Sequence, residues 1–162
     1  MPVAVIIPPN PVVSWDEADR HLRLDGDTEQ QAYVEGLIAV ATAWLDGPDG
    51  WLGRALGEQT LEAVFPVTLA AGARRYPLPP FLALVSEAAQ PDGCTTKVRW
   101  RAGYVSADGG KSTVPAPIRH AILLMVSHLF NNRDAVTATQ AQPATLPLGV
   151  DALLSPYRAW SV

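Results

Sequence analysis

Charge is scarce in this sequence. Aspartate, glutamate, lysine and arginine make up 17% of its 162 residues, against about 25% in an average soluble domain. A free monomer needs charge to cover its surface, so the shortage predicts that part of the surface is covered by another chain, most simply by copies of itself. Cysteine is nearly absent. Cys94 alone excludes an intramolecular disulfide framework and suits a reducing compartment. Long apolar runs are missing too: the longest in the second half, Ala121 to Val126, falls far short of the roughly 20 residues that span a bilayer. The opening "MPVAVIIPPNP" has no basic segment and breaks at Pro8-Pro9, so it does not read as a secretory signal. Together these absences predict a soluble protein made in the cytosol, with no membrane partner. A net charge of −4 removes any general attraction to nucleic acid.

Catalytic motifs are also lacking. The sequence contains no H-E-x-x-H, C-x-x-C or G-x-S-x-G. Of the three histidines, His120 and His128 are eight apart on one predicted helix, about 80° apart around its axis, which is the wrong spacing for a two-ligand metal site. His21 has no partner in sequence. Cys94 follows Asp92-Gly93 with no assignable base. Asp16, Glu17 and Asp19 sit at the start of a predicted helix, where they suit its dipole. The stretch "ADGGKST" (107–113) ends like a phosphate-binding loop, with Gly110, Lys111 and Ser112 in place. The first glycine of G-x-x-x-x-G-K-[ST] would fall at Val105, and Gly103 is two residues too early. Val114-Pro115-Ala116-Pro117 follows where a helix should begin at once. A polar turn is the better reading. No enzyme, cofactor or metal site is expected.

What is there begins with proline, 15 of 162 residues, about twice the usual share. Such a chain should have short elements, extended connectors and arms. Residues 1–13 are expected to form an extended N-terminal arm. Ser14 and Glu17 then make a capping box, predicting a helix from Trp15 to about Arg23. Thr28 and Gln31 repeat the pattern before a longer helix to about Leu45. On that helix Tyr33, Leu37, Val40, Ala41 and Trp44 form one apolar stripe, and Val34, Ile38 and Leu45 widen it, so the helix should touch two neighbours. "TLEAVF" (60–65) and "KVRWRAGY" (97–104) alternate as strands do, with Val98, Trp100 and Ala102 opposite Lys97, Arg99 and Arg101. "FLALVSEA" (81–88) is a less regular strand. The five tryptophans are scattered and suit core or interface anchors.

"PIRHAILLMVSHLFNNRDAV" predicts a third long helix, with Pro117 in its first turn. Ile118, Ala121, Ile122, Met125, Val126 and Leu129 make its main apolar face, while Leu123 and Phe130 lie well round from it. A large apolar side chain left in water forgoes about 1.5–3 kcal/mol, so a second burial partner is expected. Val34, Ile38, Leu123 and Phe130 are accordingly the expected subunit-contact residues. Residues 137–146 read as a loose tether before "LPLGVDALLSPYRAW". Pro156 should end the last helix near Ser155 and leave an aromatic tail. Leu153, Leu154, Tyr157, Arg158 and Trp160 are the expected partner-docking residues. Lys97, Arg99 and Arg101 are the candidate channel or nucleic-acid face, against a plainer reading as a solvated or salt-bridged sheet face.

Several segments, taken in order, resemble the head-tail connector (adaptor) proteins of long-tailed bacteriophages and phage-derived gene transfer agents. They are "VSWDEADRHLRLDGD", "GRALGEQT", "VRWRAGY", "VPAPIRHAILLMVSHLFNNRDAV" and "LPLGVDALLSPYRAW", together well over half the chain, with the poorest match between about 66 and 95. The resemblance implies an α+β, mainly α-helical fold of about four helices with a small antiparallel β-region and extended arms. The connector domain would span 14–136, with a β-insertion at about 58–104, and 137–162 would be the tether and docking segment. It further implies a homo-oligomeric ring, dodecameric to match the portal, in the virion at the head–tail junction after assembly in the host cytoplasm. Its partners would be the portal protein and a head-closure or tail protein, with DNA passing through the channel without sequence-specific binding. A head-closure or tail-terminator ring is the alternative structural role. A small nucleotide-binding enzyme rests only on the "GGKST" likeness.

Overall fold

In the computed structural model the described residues are 2–69, 73–105, 112–133 and 148–160. The fold is mixed α+β, with four α-helices and a four-stranded antiparallel sheet among the described residues. It divides into two units. One comprises Met1–Asn10, Leu45–Thr113 and Ala159–Val162, and the other Pro11–Trp44 and Val114–Arg158.

The first unit is built on alternation. Its strands are β1 (Val3–Ile7), β2 (Gln59–Pro66), β3 (Phe81–Ala89) and β4 (Thr95–Ala102), in the spatial order β1-β2-β4-β3. β2 and β4 are central, so one full face of each is buried. Leu61, Ala63 and Phe65 on β2, and Val98, Trp100 and Ala102 on β4, share a core with Ala55 and Leu78. Tyr76 packs on the Trp100 ring at 5.5 Å and Phe65 at 6.2 Å. Within the expected extended N-terminal arm, Val3–Ile7 form the edge strand β1, paired to β2 from Val3↔Ala63 to Ile7↔Thr60. The sheet is the framework of the first unit, whose Leu45–Thr113 segment lies in sequence between the two segments of the second. β3 is irregular as expected, because its register against β4 shifts twice.

Three backbone segments meet tightly just before β2. A Cβ on Gly57 would lie 2.1 Å from the Asn10 carbonyl oxygen, and one on Gly103, at φ +109°, would lie 2.1 Å from that of Gly57. Only glycine fits either place.

The second unit contains α1 (Trp15–Leu22), α3 (Ala116–Asn131), α4 (Leu148–Leu154) and nearly all of α2 (Gln31–Leu45). The capping box forms as expected: the Ser14 hydroxyl accepts from the Glu17 N–H at 3.3 Å, and a Glu17 carboxylate oxygen accepts from the Ser14 N–H at 3.1 Å. Before α2, Asp27 caps a short 3₁₀ turn, accepting from the Glu29 N–H at 3.0 Å. Arg119 on α3 forms an ion pair with Glu17 on α1, and α3 also packs on α4. On α3 the buried residues are Ile118, Ala121, Ile122, Met125 and Val126, the main apolar face read from the sequence.

The inward stripe of α2 differs from the one expected. Val34, Ile38, Ala41 and Leu45 are buried, whereas Tyr33, Val40 and Trp44 are exposed. Both stripes obey the helical period, so spacing alone does not say which faces the core.

Candidate interface surfaces

The cationic strand face is built by β4 alternation and neutralised by β2. Arg99 lies opposite Glu62 in the ladder, and its Nε reaches a Glu62 carboxylate oxygen at 2.5 Å. Lys97 approaches the other oxygen of Glu62 at 3.6 Å, and Arg101 pairs with Glu58. The Arg99 hydrogen bond, with Lys97 nearby, holds the Glu62 carboxyl below its ordinary pKa. Each of the three cations thus has a carboxylate partner, as the plainer reading of this face expects. At the β3–β4 turn, Asp92 accepts from the Cys94 and Thr95 N–H groups, both at 2.9 Å, and from the Thr95 hydroxyl, which lowers its pKa.

The expected subunit-contact residues separate. Val34 is fully buried and Ile38 nearly so, so neither has surface to offer a neighbour; this corrects their assignment. Leu123 and Phe130 are half-buried. Phe130 has found a second element of its own chain: its ring lies 6.0 Å from Tyr33 on α2, and the Arg133 guanidinium sits 5.0 Å from Phe130 and 4.7 Å from Tyr33. The exposed apolar side of α2, with Val40 at 59% exposure, was missed because the sequence placed that stripe inward.

The docking set separates similarly. α4 ends at Leu154, and a 3₁₀ turn over Ser155–Tyr157 carries Pro156 in its first turn, as the proline predicts. Leu154 is fully buried and is a core residue, which corrects its place among docking residues. Leu153, Tyr157 and Arg158 are half-buried, and Trp160 is 73% exposed. The expected tether, 137–146, lies outside the described residues.

In the first unit a groove of about 910 Å³ runs beside β1, walled by Val3, Val5, Tyr76, Leu78, Pro79 and Trp160. Its charged lining residues are Asp49 and Arg75.

Catalytic geometry is missing among the described residues. No cluster of three or more His, Cys, Asp or Glu could hold a metal ion there. His21 and His120 meet across α1 and α3 with ring centroids 5.9 Å apart, a contact no sequence spacing reveals, and burial followed by His120 lowers the His21 pKa. Most of the "ADGGKST" loop lies outside the described residues. Thr113 donates its hydroxyl proton to the Val105 carbonyl, and α3 starts at Ala116 behind Pro115. One carboxylate is buried: Asp46 Oδ1 accepts from the Leu56 N–H at 2.7 Å and from the Gln59 amide at 3.0 Å. Burial raises its pKa, against the opposing pull of Leu56, Gln59 and Gly47. It fastens the loop between α2 and β2.

No protein-family model matches the sequence, and no curated protein is significantly similar to it. The fold has solved neighbours. A chain of "Virion of native gene transfer agent (GTA) particle" is similar with a TM-score of 0.68 at 17% identity, over 100% of this chain and 97% of that one. A chain of "Neck of empty GTA particle computed with C6 symmetry" is similar with a TM-score of 0.61 at 17% identity, with the same coverage. Both likenesses are likenesses in fold.

Proposed function

We propose that the chain is a structural neck component of a phage-like particle, a head-tail connector (adaptor) subunit. Copies of it form a ring beneath the portal, extend the DNA channel and receive the next head-completion or tail protein. The observation that carries this reading is the end-to-end likeness in fold to chains of a gene transfer agent virion and neck. It agrees with the segment-by-segment resemblance in sequence, which rests on different information. The neck neighbour was computed with C6 symmetry, and a ring of twelve obeys that symmetry.

The physical features fit a ring component. Charge is scarce, and Tyr33, Val40 and Trp44 lie exposed on one side of α2. Lys97, Arg99 and Arg101 remain the channel-face candidates, and their pairing with Glu58 and Glu62 would let DNA pass without holding it. Leu153, Tyr157, Arg158 and Trp160 are the candidates for docking on the portal. Leu123 and Phe130 stay in the subunit contact through the surface they keep. Co-sedimentation with capsids that carry a portal but no neck tests the reading. Saturable binding is expected. Binding only to closed necks or tail ends would overturn the adaptor role in favour of head closure or tail termination.

A further inference from the structure

We propose that the two edge strands of the sheet pair with each other between copies of this chain, β1 of one against β3 of the next. The proposal rests on the reading that the chain assembles with itself, and it names the seam.

Both edges are open. In the order β1-β2-β4-β3, β1 is laddered only to β2 and β3 only to β4 among the described residues. An open edge is a row of unpaired N–H and C=O groups, and proteins that stay monomeric guard it with charge, proline or a bulge. β1, "VAVII", has no charged residue and no proline within it, and its one register shift, between Val5 and Ile7, places no charge on the edge. β3 has a single charged residue, Glu87, which Arg74 already engages. Its bulges twist it without placing a charge on the edge. Val5, Ile6 and Ile7 on β1, and Phe81, Leu84 and Val85 on β3, are all exposed.

The directions agree. Every neighbouring pair is antiparallel, so in a four-stranded sheet the two edges run in opposite senses. A β3 laid on the next copy's β1 therefore continues the antiparallel ladder. Such a contact is head-to-tail, and head-to-tail contacts make a ring when the rotation between copies closes, whereas β1 against β1 would stop at a dimer and leave β3 open.

The faces agree as well. Val3 and Val5 lie opposite Ala63 and Leu61, on the buried side of the sheet, and line the groove. Phe81 and Leu84 lie opposite Ala102 and Trp100, on the same side. A continuous sheet keeps its faces from strand to strand. Phe81 and Leu84 of one copy thus come to Val3 and Val5 of the next, beside the apolar wall of Tyr76, Leu78 and Pro79. Phe81 already stacks on Tyr76 of its own copy at 4.6 Å, so the groove is the space that Leu84 enters.

Disulfide trapping in the full-length chain tests this. In a Cys94→Ala background, Val3→Cys or Val5→Cys is combined in turn with Phe81→Cys or Leu84→Cys, so that a shift of two residues in register is still caught. After mild oxidation, at least one pair should give a reductant-sensitive ladder of covalent multimers, while each single variant gives none. Val5→Lys should shift the mass seen by light scattering toward the monomer. An oligomer in which no pair yields a ladder overturns the edge seam and leaves self-assembly standing. Dimers from Val5→Cys alone would mean β1 against β1, and overturn it too. A monomer at every concentration overturns both the seam and the ring.

Discussion

Removing the Asp46 carboxylate should cost far more than its position in a loop suggests. Asp46→Ala leaves the buried Leu56 N–H and the Gln59 amide without their acceptor. Each unsatisfied buried donor costs about 1–3 kcal/mol, so the variant should lose about 2–6 kcal/mol. At about 2–4 °C per kcal/mol for a chain of this size, that is a fall of roughly 4–24 °C in melting temperature. Asp46→Asn should behave differently. Its amide oxygen can still accept from the Leu56 N–H. Gln59 Oε1, a buried atom with no hydrogen-bond partner among the described residues, can then turn to accept from the new amide. The asparagine variant should therefore stay within about 1 kcal/mol of the parent near neutral pH. The pH dependence gives a second check. The folded pKa of Asp46 is raised above the ordinary 3.8 by burial, so its contribution is full below 3.8 and is lost as pH rises through the folded value. Relative to Asp46→Asn, the parent should lose ground over that rise. Urea unfolding followed by tryptophan fluorescence, at a dilution where the midpoint no longer depends on concentration, reads both effects. Alanine and asparagine variants of equal stability would refute the hydrogen-bond account.

Trp100→Ala should cost about 3–5 kcal/mol, because the ring is fully buried against Phe65 and Tyr76; a loss below 1 kcal/mol in the same assay would place the sheet core elsewhere. His21, with its pKa lowered by burial and by His120, contributes stability that is present above pH 6.5 and lost as pH falls through its folded value. His120→Gln should flatten that acid slope in pH-dependent melts, and an unchanged slope would refute the pairing. A chain cut after Ala141 should melt lower, since the cut removes the buried Val150 and Leu154. Trp160→Ala should weaken co-sedimentation with portal-bearing capsids, and unchanged binding would remove it from the docking set.

Much of this fold was legible where one signal dominated. The Ser14–Glu17 box fixed the start of α1, and clean alternation fixed β4 and its buried Trp100. The apolar face of α3 was read directly because one face held five large or small apolar residues in register. Elsewhere two signals competed. On α2 the stripes through Tyr33 and through Val34 both have helical spacing, and only tertiary packing decides that Val34 turns inward. "VAVII" has strand propensity, but five residues between prolines do not announce a partner, and β2 lies more than fifty residues away. Asp46 was hidden because an acidic residue beside Gly47-Pro48 reads as an exposed turn. The meeting of His21 with His120, and of Phe130 with Tyr33, depends on how helices pack, which no local pattern encodes. The same holds for the three strand cations: alternation put them on one face, but only the register of β2 brought Glu62 to Arg99.

The central claim is that this chain is a neck ring subunit, and electron microscopy of the purified full-length protein, alone and mixed with its portal, tests it most directly. The account predicts rings of identical subunits with an open centre, stacked coaxially on the portal when the two are mixed. Dispersed particles of monomer or dimer size that leave the portal bare would contradict it.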